Sequence, residues 1–327
     1  MIINPLAVIL SFVTTLFMGW FFMTHFRKLK TGVKSPFIPD GKTLSQDKKT
    51  TGVAFACLAG CLVGFLGTAF LAETEMLPVM LSSGIFLMAM CFLGYKDDKK
   101  LDLSGENVGI NAQNRLVFTM VVALSFGIIC MATGSDTVVS LPLSREKLRL
   151  GGAFGPAVAL TTLVACEGER ATGSKNNTEF LRGIVKLTAI LFVAAVEEKI
   201  PLMLLPSVYI GTLVGGLFWS NYKKVLKIGF SDKYIITAMI LTACFATENE
   251  GMILFLFAFE IFCLFAYPAD RLFYKLSGKH IFNRLPVDEH LKSSEISDKK
   301  IKILYVLFTA IFALTAVAAK LILLKTE

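Results

Sequence analysis

The chain has 327 residues, 54% of them hydrophobic, with a mean hydropathy of +0.65 and a formal net charge of +8. This excludes an ordinary soluble domain, because several segments approach the roughly 20 apolar residues that a bilayer-spanning helix needs. The positive charge would suit a nucleic-acid binder, but its distribution along the chain suits a membrane protein, and no nucleic-acid partner is expected.

Ten apolar stretches follow in chain order, near 2–26, 52–73, 77–95, 115–134, 150–166, 183–197, 200–220, 234–247, 251–268 and 301–324. The first has no basic residue before it and runs into RKLK (27–30), the reverse of a signal peptide's charged start, so it is expected to be retained. The loops after the first, third, fifth, seventh and ninth stretches hold 26 Lys and Arg, against 6 on the other face and the termini, with Lys186 inside a span. By the positive-inside rule the richer set is cytoplasmic, which puts both termini on the extracytoplasmic side. The expected architecture is an all-α integral membrane protein with about ten transmembrane helices in one polytopic domain, 1–327. Its cytoplasmic loops lie near 27–51, 96–114, 167–182, 221–233 and 269–300. Seven cysteines, an odd number set within or beside apolar stretches, read as packing residues rather than a disulfide framework.

The third stretch ends in GYKDDKK (94–100), which places Asp97 and Asp98 at the cytoplasmic mouth of a helix. Paired carboxylates there can hold Mg²⁺ and manage a phosphate, because a hard dication prefers oxygen ligands. The alternative is a solvated helix end. Glu260, inside the ninth stretch, either is protonated or lines a groove, since an ionisable residue at a helix centre costs about 2.5–3.5 kcal/mol to insert. No chain of interior charges is apparent in the sequence, which argues against a transporter or channel.

Further along come NVGINAQNRL (107–116), NNTEFLRGI (176–184) after the charged EGER (167–170), KIGFSDKY (227–234) and KLSGKHIFNRLPVDEHLKSSEISDKKI (275–301). With GYKDD, these resemble the phospho-N-acetylmuramoyl-pentapeptide transferase family, within the polyprenyl-phosphate sugar-1-phosphate transferases. The last stretch matches that family's final cytoplasmic loop without a gap from Lys275 to Ile301. PDGKTLSQDKKTTGVAF (39–55) adds a fainter match. The resemblance implies transfer of a sugar phosphate from a UDP-sugar to undecaprenyl phosphate, with release of UMP and dependence on Mg²⁺. It implies Asp97, Asp98 and Asp232 as catalytic and metal-binding groups, and Lys48, Lys49, Asn107, Asn176, Glu179 and His290 as substrate contacts. Arg115, Lys279 and Arg284 are further candidate donors to phosphate or uracil, and a homodimer is a further expectation.

Three departures fall where the chemistry belongs. The family's F-x-G-D-x-G-S loop puts its metal-binding aspartate where this chain has Phe230, and Asp232 can serve only if the match slides past Gly229. In NNTEFLRGI, Glu179 stands for the first aspartate of the family's pattern, while Arg182 reverses the charge of the second. The family's three histidines become Asp288, Glu289 and His290, of which only His290 carries over directly. His25 and His280 read as interfacial. Impaired or lost catalysis is therefore the favoured expectation; the alternative is an active, divergent transferase using Asp97, Asp98 and Asp232.

Overall fold

In a computed structural model the described residues are 3–25, 30–31, 49–50, 53–69, 76–103, 110–133, 137–141, 146–173, 177–222, 229–282 and 285–325. Lys48, Asn107, Asn176 and Arg284 lie outside them. Lys49 is described in its backbone alone, as part of β2 (Lys49–Thr50), which pairs antiparallel with β1 (Lys30–Thr31).

The apolar stretches fold as helices: α1 (Ile3–His25), α2 (Val53–Ala69), α3 (Met76–Leu103), α4 (Ala112–Ala132), α5 (Phe154–Ala171), α6 (Thr178–Val196), α7 (Leu204–Asn221) and α8 (Phe230–Ala246). A four-residue α9 (Ile253–Leu256) is bent by 54° from α10 (Ala258–Ser277). The short α11 (Val287–Ser293) precedes the long C-terminal α12 (Asp298–Lys325). An antiparallel hairpin, β3 (Val138–Ser140) with β4 (Lys147–Arg149), joins α4 to α5.

Five helices, or six if the bent α9–α10 pair counts as one span, are long and apolar enough to cross a membrane among the described residues. Ten apolar stretches were expected to span. α2 and α8 reach only 17 residues each, and α6 carries Glu179, Arg182 and Lys186. Packing explains how these survive in an apolar solvent. α8 is buried without interruption from Ser231 to Cys244 and packs on α2, α3, α5, α6 and α7. Its neighbours, rather than lipid, set its length. The outer helices show the opposite pattern. Ile303, Leu307, Ile311 and Leu314 on α12 are exposed at helical spacing, as are Ile9, Val13, Phe17 and Trp20 on α1, giving each an apolar outer stripe suited to acyl chains.

All seven cysteines are free and buried, as packing residues should be. Between α7 and α8, the Tyr209 hydroxyl and Thr242 Oγ1 share a hydrogen bond of 2.9 Å, satisfying two polar groups deep in the bundle.

Candidate functional site

The glycine of GYKDD makes the site possible. A Cβ at Gly94 would stand 2.5 Å from the Ser231 Cα, so only glycine lets α3 pass this close to the start of α8. α8 begins directly after Gly229, whose missing side chain cannot cap the helix. Asp232, at the third helical position, reaches back to accept the Gly229 N–H at 2.8 Å. Asp98 supplies the remaining cap from the neighbouring helix. It accepts the N–H groups of Phe230 (2.7 Å) and Ser231 (3.0 Å) and the Ser231 hydroxyl (2.7 Å). A carboxylate at a helix N-terminus is further favoured by the helix dipole.

Asp97 faces the other way. Its Oδ1 accepts the Ile110 N–H at 2.7 Å, just before α4, and its Oδ2 is paired with Arg170 from the last turn of α5. The Arg170 guanidinium lies 3.7 Å from the centroid of the Phe230 ring, forming a cation–π contact where the sequence resemblance expects a metal-binding aspartate. Asp97, Asp98 and Asp232 are all 0% exposed, so GYKDDKK is not a solvated helix end, and α3 continues past it to Leu103. Asp232 sits on the first turn of α8, ahead of the apolar stretch that begins at Tyr234. Burial pushes its carboxyl up, to about 8, with the Gly229 N–H opposing.

Behind this junction runs a chain of buried charge. Arg182 on α6 pairs with Glu169 on α5, and its Nη1 lies 3.1 Å from Glu260 on α10. Lys186, one turn further along α6, donates to Glu260 at 2.7 Å and lies 4.1 Å from the Phe257 ring at the α9–α10 bend. Lys233 donates to the Glu169 carbonyl at 3.1 Å and stands 3.8 Å from Glu179, whose carboxylate accepts no hydrogen bond from the described residues. Three carboxylates face three cations. The expectation of no interior charge chain is thereby overturned, because the inward faces of α5, α6 and α10 assemble one from residues far apart in sequence. Glu260 is paired rather than solitary.

The remaining candidates are dispersed. Arg115 is committed to Glu167 through two bonds of 2.9 Å. His290 lies on α11 with its ring edge-on to Phe282, 5.4 Å between centroids. α11 closes over the end of α5, where Gly173, at a φ of +70°, takes a turn that leaves room for Pro286 and Asp288. His280 stacks on Tyr274 and bonds Asp270 at 2.8 Å, an exposed loop lock. Sequence reasoning missed Arg170, Glu169, Lys186 and Lys233 as partners. The run EGER was the one signal available for the first two.

The fit to a divalent metal follows from these bonds. Asp98 is consumed in capping α8, Asp97 faces a guanidinium, and the Asp232 carboxylate is held by the backbone N–H groups of Gly229 and Ala54. Among the described residues no three His, Cys, Asp or Glu side chains are disposed to hold a metal ion. With Arg170 paired to Asp97 and seated on Phe230, the arrangement does not suit Mg²⁺.

No protein-family model matches the chain. Individual relatives align along nearly its whole length. A phospho-N-acetylmuramoyl-pentapeptide-transferase of Halalkalibacterium halodurans is 21% identical over 316 residues, 95% of this chain and 96% of the relative. The protein of the same description from Shouchella clausii is 24% identical over 322 residues, covering 95% of each. That from Caldicellulosiruptor bescii is 21% identical over 320 residues, covering 96% of each. Together with the apolar helices, this similarity makes the chain a multi-pass protein of bacterial-type plasma membrane.

Proposed function

From this full-length similarity we propose that the chain is a transferase-like membrane protein that keeps the architecture of the phospho-N-acetylmuramoyl-pentapeptide transferases with catalysis impaired or lost. In this reading it retains a surface for a polyprenyl phosphate or a UDP-sugar and acts by binding rather than turnover. The observation that carries the reading is the clamp of Asp97, Arg170 and Phe230. Phosphoryl transfer relies on positioning and on neutralising charge at the phosphate oxygens. An aspartate held by an internal arginine is not free to take part, and a phenyl ring supplies no ligand.

The test is release of UMP from a UDP-sugar in the presence of undecaprenyl phosphate and millimolar Mg²⁺. The purified chain should release none, while either ligand should raise its melting temperature, as a ligand that prefers the native state does. UMP release that disappears in Asp97→Asn would overturn the reading. Loss of the thermal shift with both ligands would remove the binding role.

One observation favours a second reading, that of an active divergent enzyme. Asp232 and Asp98 meet at Gly229, which brings two of the expected metal-binding carboxylates together. In that case Asp97→Asn and Asp232→Asn should each abolish UMP release, with Phe230→Ala tolerated.

A further inference from the structure

We propose that Arg170 is a resident cation standing in for a divalent metal at the α3–α8 junction, so that the site keeps its carboxylates together without Mg²⁺. The inference rests on reading this junction as the transferase-like site.

Three fully buried aspartates lie where α3 meets α8, Asp98 and Asp232 turned toward Gly229 and Asp97 toward Ile110 and Arg170. Their charge needs compensation, because a buried carboxylate without partners is costly. The N-terminus of α8 compensates Asp98, and the Gly229 N–H compensates one oxygen of Asp232. Arg170 compensates Asp97. Unlike a histidine or a lysine, arginine cannot shed its proton, so this counterion is permanent.

Phe230 fixes it in place. The ring lies beneath the guanidinium at 3.7 Å while Asp97 takes one edge, leaving the cation held on two sides and its side chain 19% exposed. Lys233 approaches the same ring, 5.9 Å from its centroid. A carboxylate at position 230 would instead add a fourth acidic group to the junction. Phenylalanine at 230 and arginine at 170 thus act as a pair: one removes a metal ligand, and the other supplies the charge the metal would have brought. A dication reaching Asp97 would have to displace both the ion pair and the stacked ring.

The full chain purified in detergent is melted in EDTA and in millimolar Mg²⁺, and Mn²⁺ uptake is followed by electron paramagnetic resonance. The wild type should melt at the same temperature in both buffers and leave Mn²⁺ free. Arg170→Met, which keeps the alkyl stem over Phe230 and loses the charge, should melt lower in EDTA, regain stability with Mg²⁺ and bind Mn²⁺. Arg170→Lys should remain indifferent to metal. If Arg170→Met folds only when Mg²⁺ is present, the inference is equally supported. A wild type stabilised by Mg²⁺ or binding Mn²⁺ overturns it, as does an Arg170→Met protein that folds and responds like wild type. An Arg170→Lys protein that fails to fold without metal also overturns it. UMP release by the wild type in EDTA would refute impaired catalysis while leaving the role of Arg170 standing, so the two failures are distinguishable.

Discussion

Asp98 shows how a residue can look catalytic in sequence and carry the start of a helix in structure. It receives three donors from α8, two of them backbone N–H groups that its removal would leave buried. Asp98→Ala should therefore cost about 2–4 kcal/mol, more than an exposed cap, because hydrogen bonds to charged groups contribute roughly 1.5–3 kcal/mol each. Asp98→Asn keeps one acceptor oxygen and should cost less. Gly94→Val should destabilise through overlap with the Ser231 backbone, by about 1–3 kcal/mol or more, since neither helix can yield by a rotamer change. Thermal melting of the purified variants checks all three; an Asp98→Ala protein that melts with wild type would show that α8 is capped by other means.

At the scale of helices, the cluster that joins α5, α6 and α10 is where breaking one partner differs most from replacing both. Lys186→Met leaves Glu260 with Arg182 alone, and stranding a buried charge costs about 3–5 kcal/mol. Lys186→Met combined with Glu260→Gln should recover most of that loss, because neutral replacements of a buried pair are often tolerated. A double-mutant cycle reads the coupling, and additive losses would show the two residues to be energetically independent. Most helices were legible from apolar length and Gly or charge punctuation, but α3 runs on to Leu103 and the ninth stretch breaks into α9 and α10, the latter reaching Ser277. The cluster was not legible. EGER and NNTEFLRGI fall within and beside the expected cytoplasmic loop 167–182, and nothing local reveals that Glu169, Glu179 and Arg182 turn inward as partners of other helices. Asp97 and Asp98 stood out by their adjacency, whereas Arg170, the residue that holds Asp97, lies 73 positions away and becomes a neighbour only through folding.

For the molecule as a whole, charge asymmetry remains the argument for orientation. Single cysteines at Lys292 and at Glu248, in a background lacking the native seven, should label from the cytoplasmic and the outer face respectively. Labelling of both from one side would remove the proposed topology. The buried charge chain bears equally on how the protein is made. α6 carries Arg182 and Lys186 on its inward face, and the carboxylate of Glu260 that they share is synthesised 74 residues after Lys186. At about 5–20 residues per second that interval is roughly 4–15 seconds. During it Lys186 lacks its carboxylate, at about 2.5–3.5 kcal/mol for a basic group at a helix centre, while Arg182 already has Glu169. Stepwise release of single helices into lipid is therefore unfavourable for this chain. α6 should linger at the translocation machinery until α10 emerges, so that a chain arrested after α8 should remain crosslinkable there while the full-length product is released.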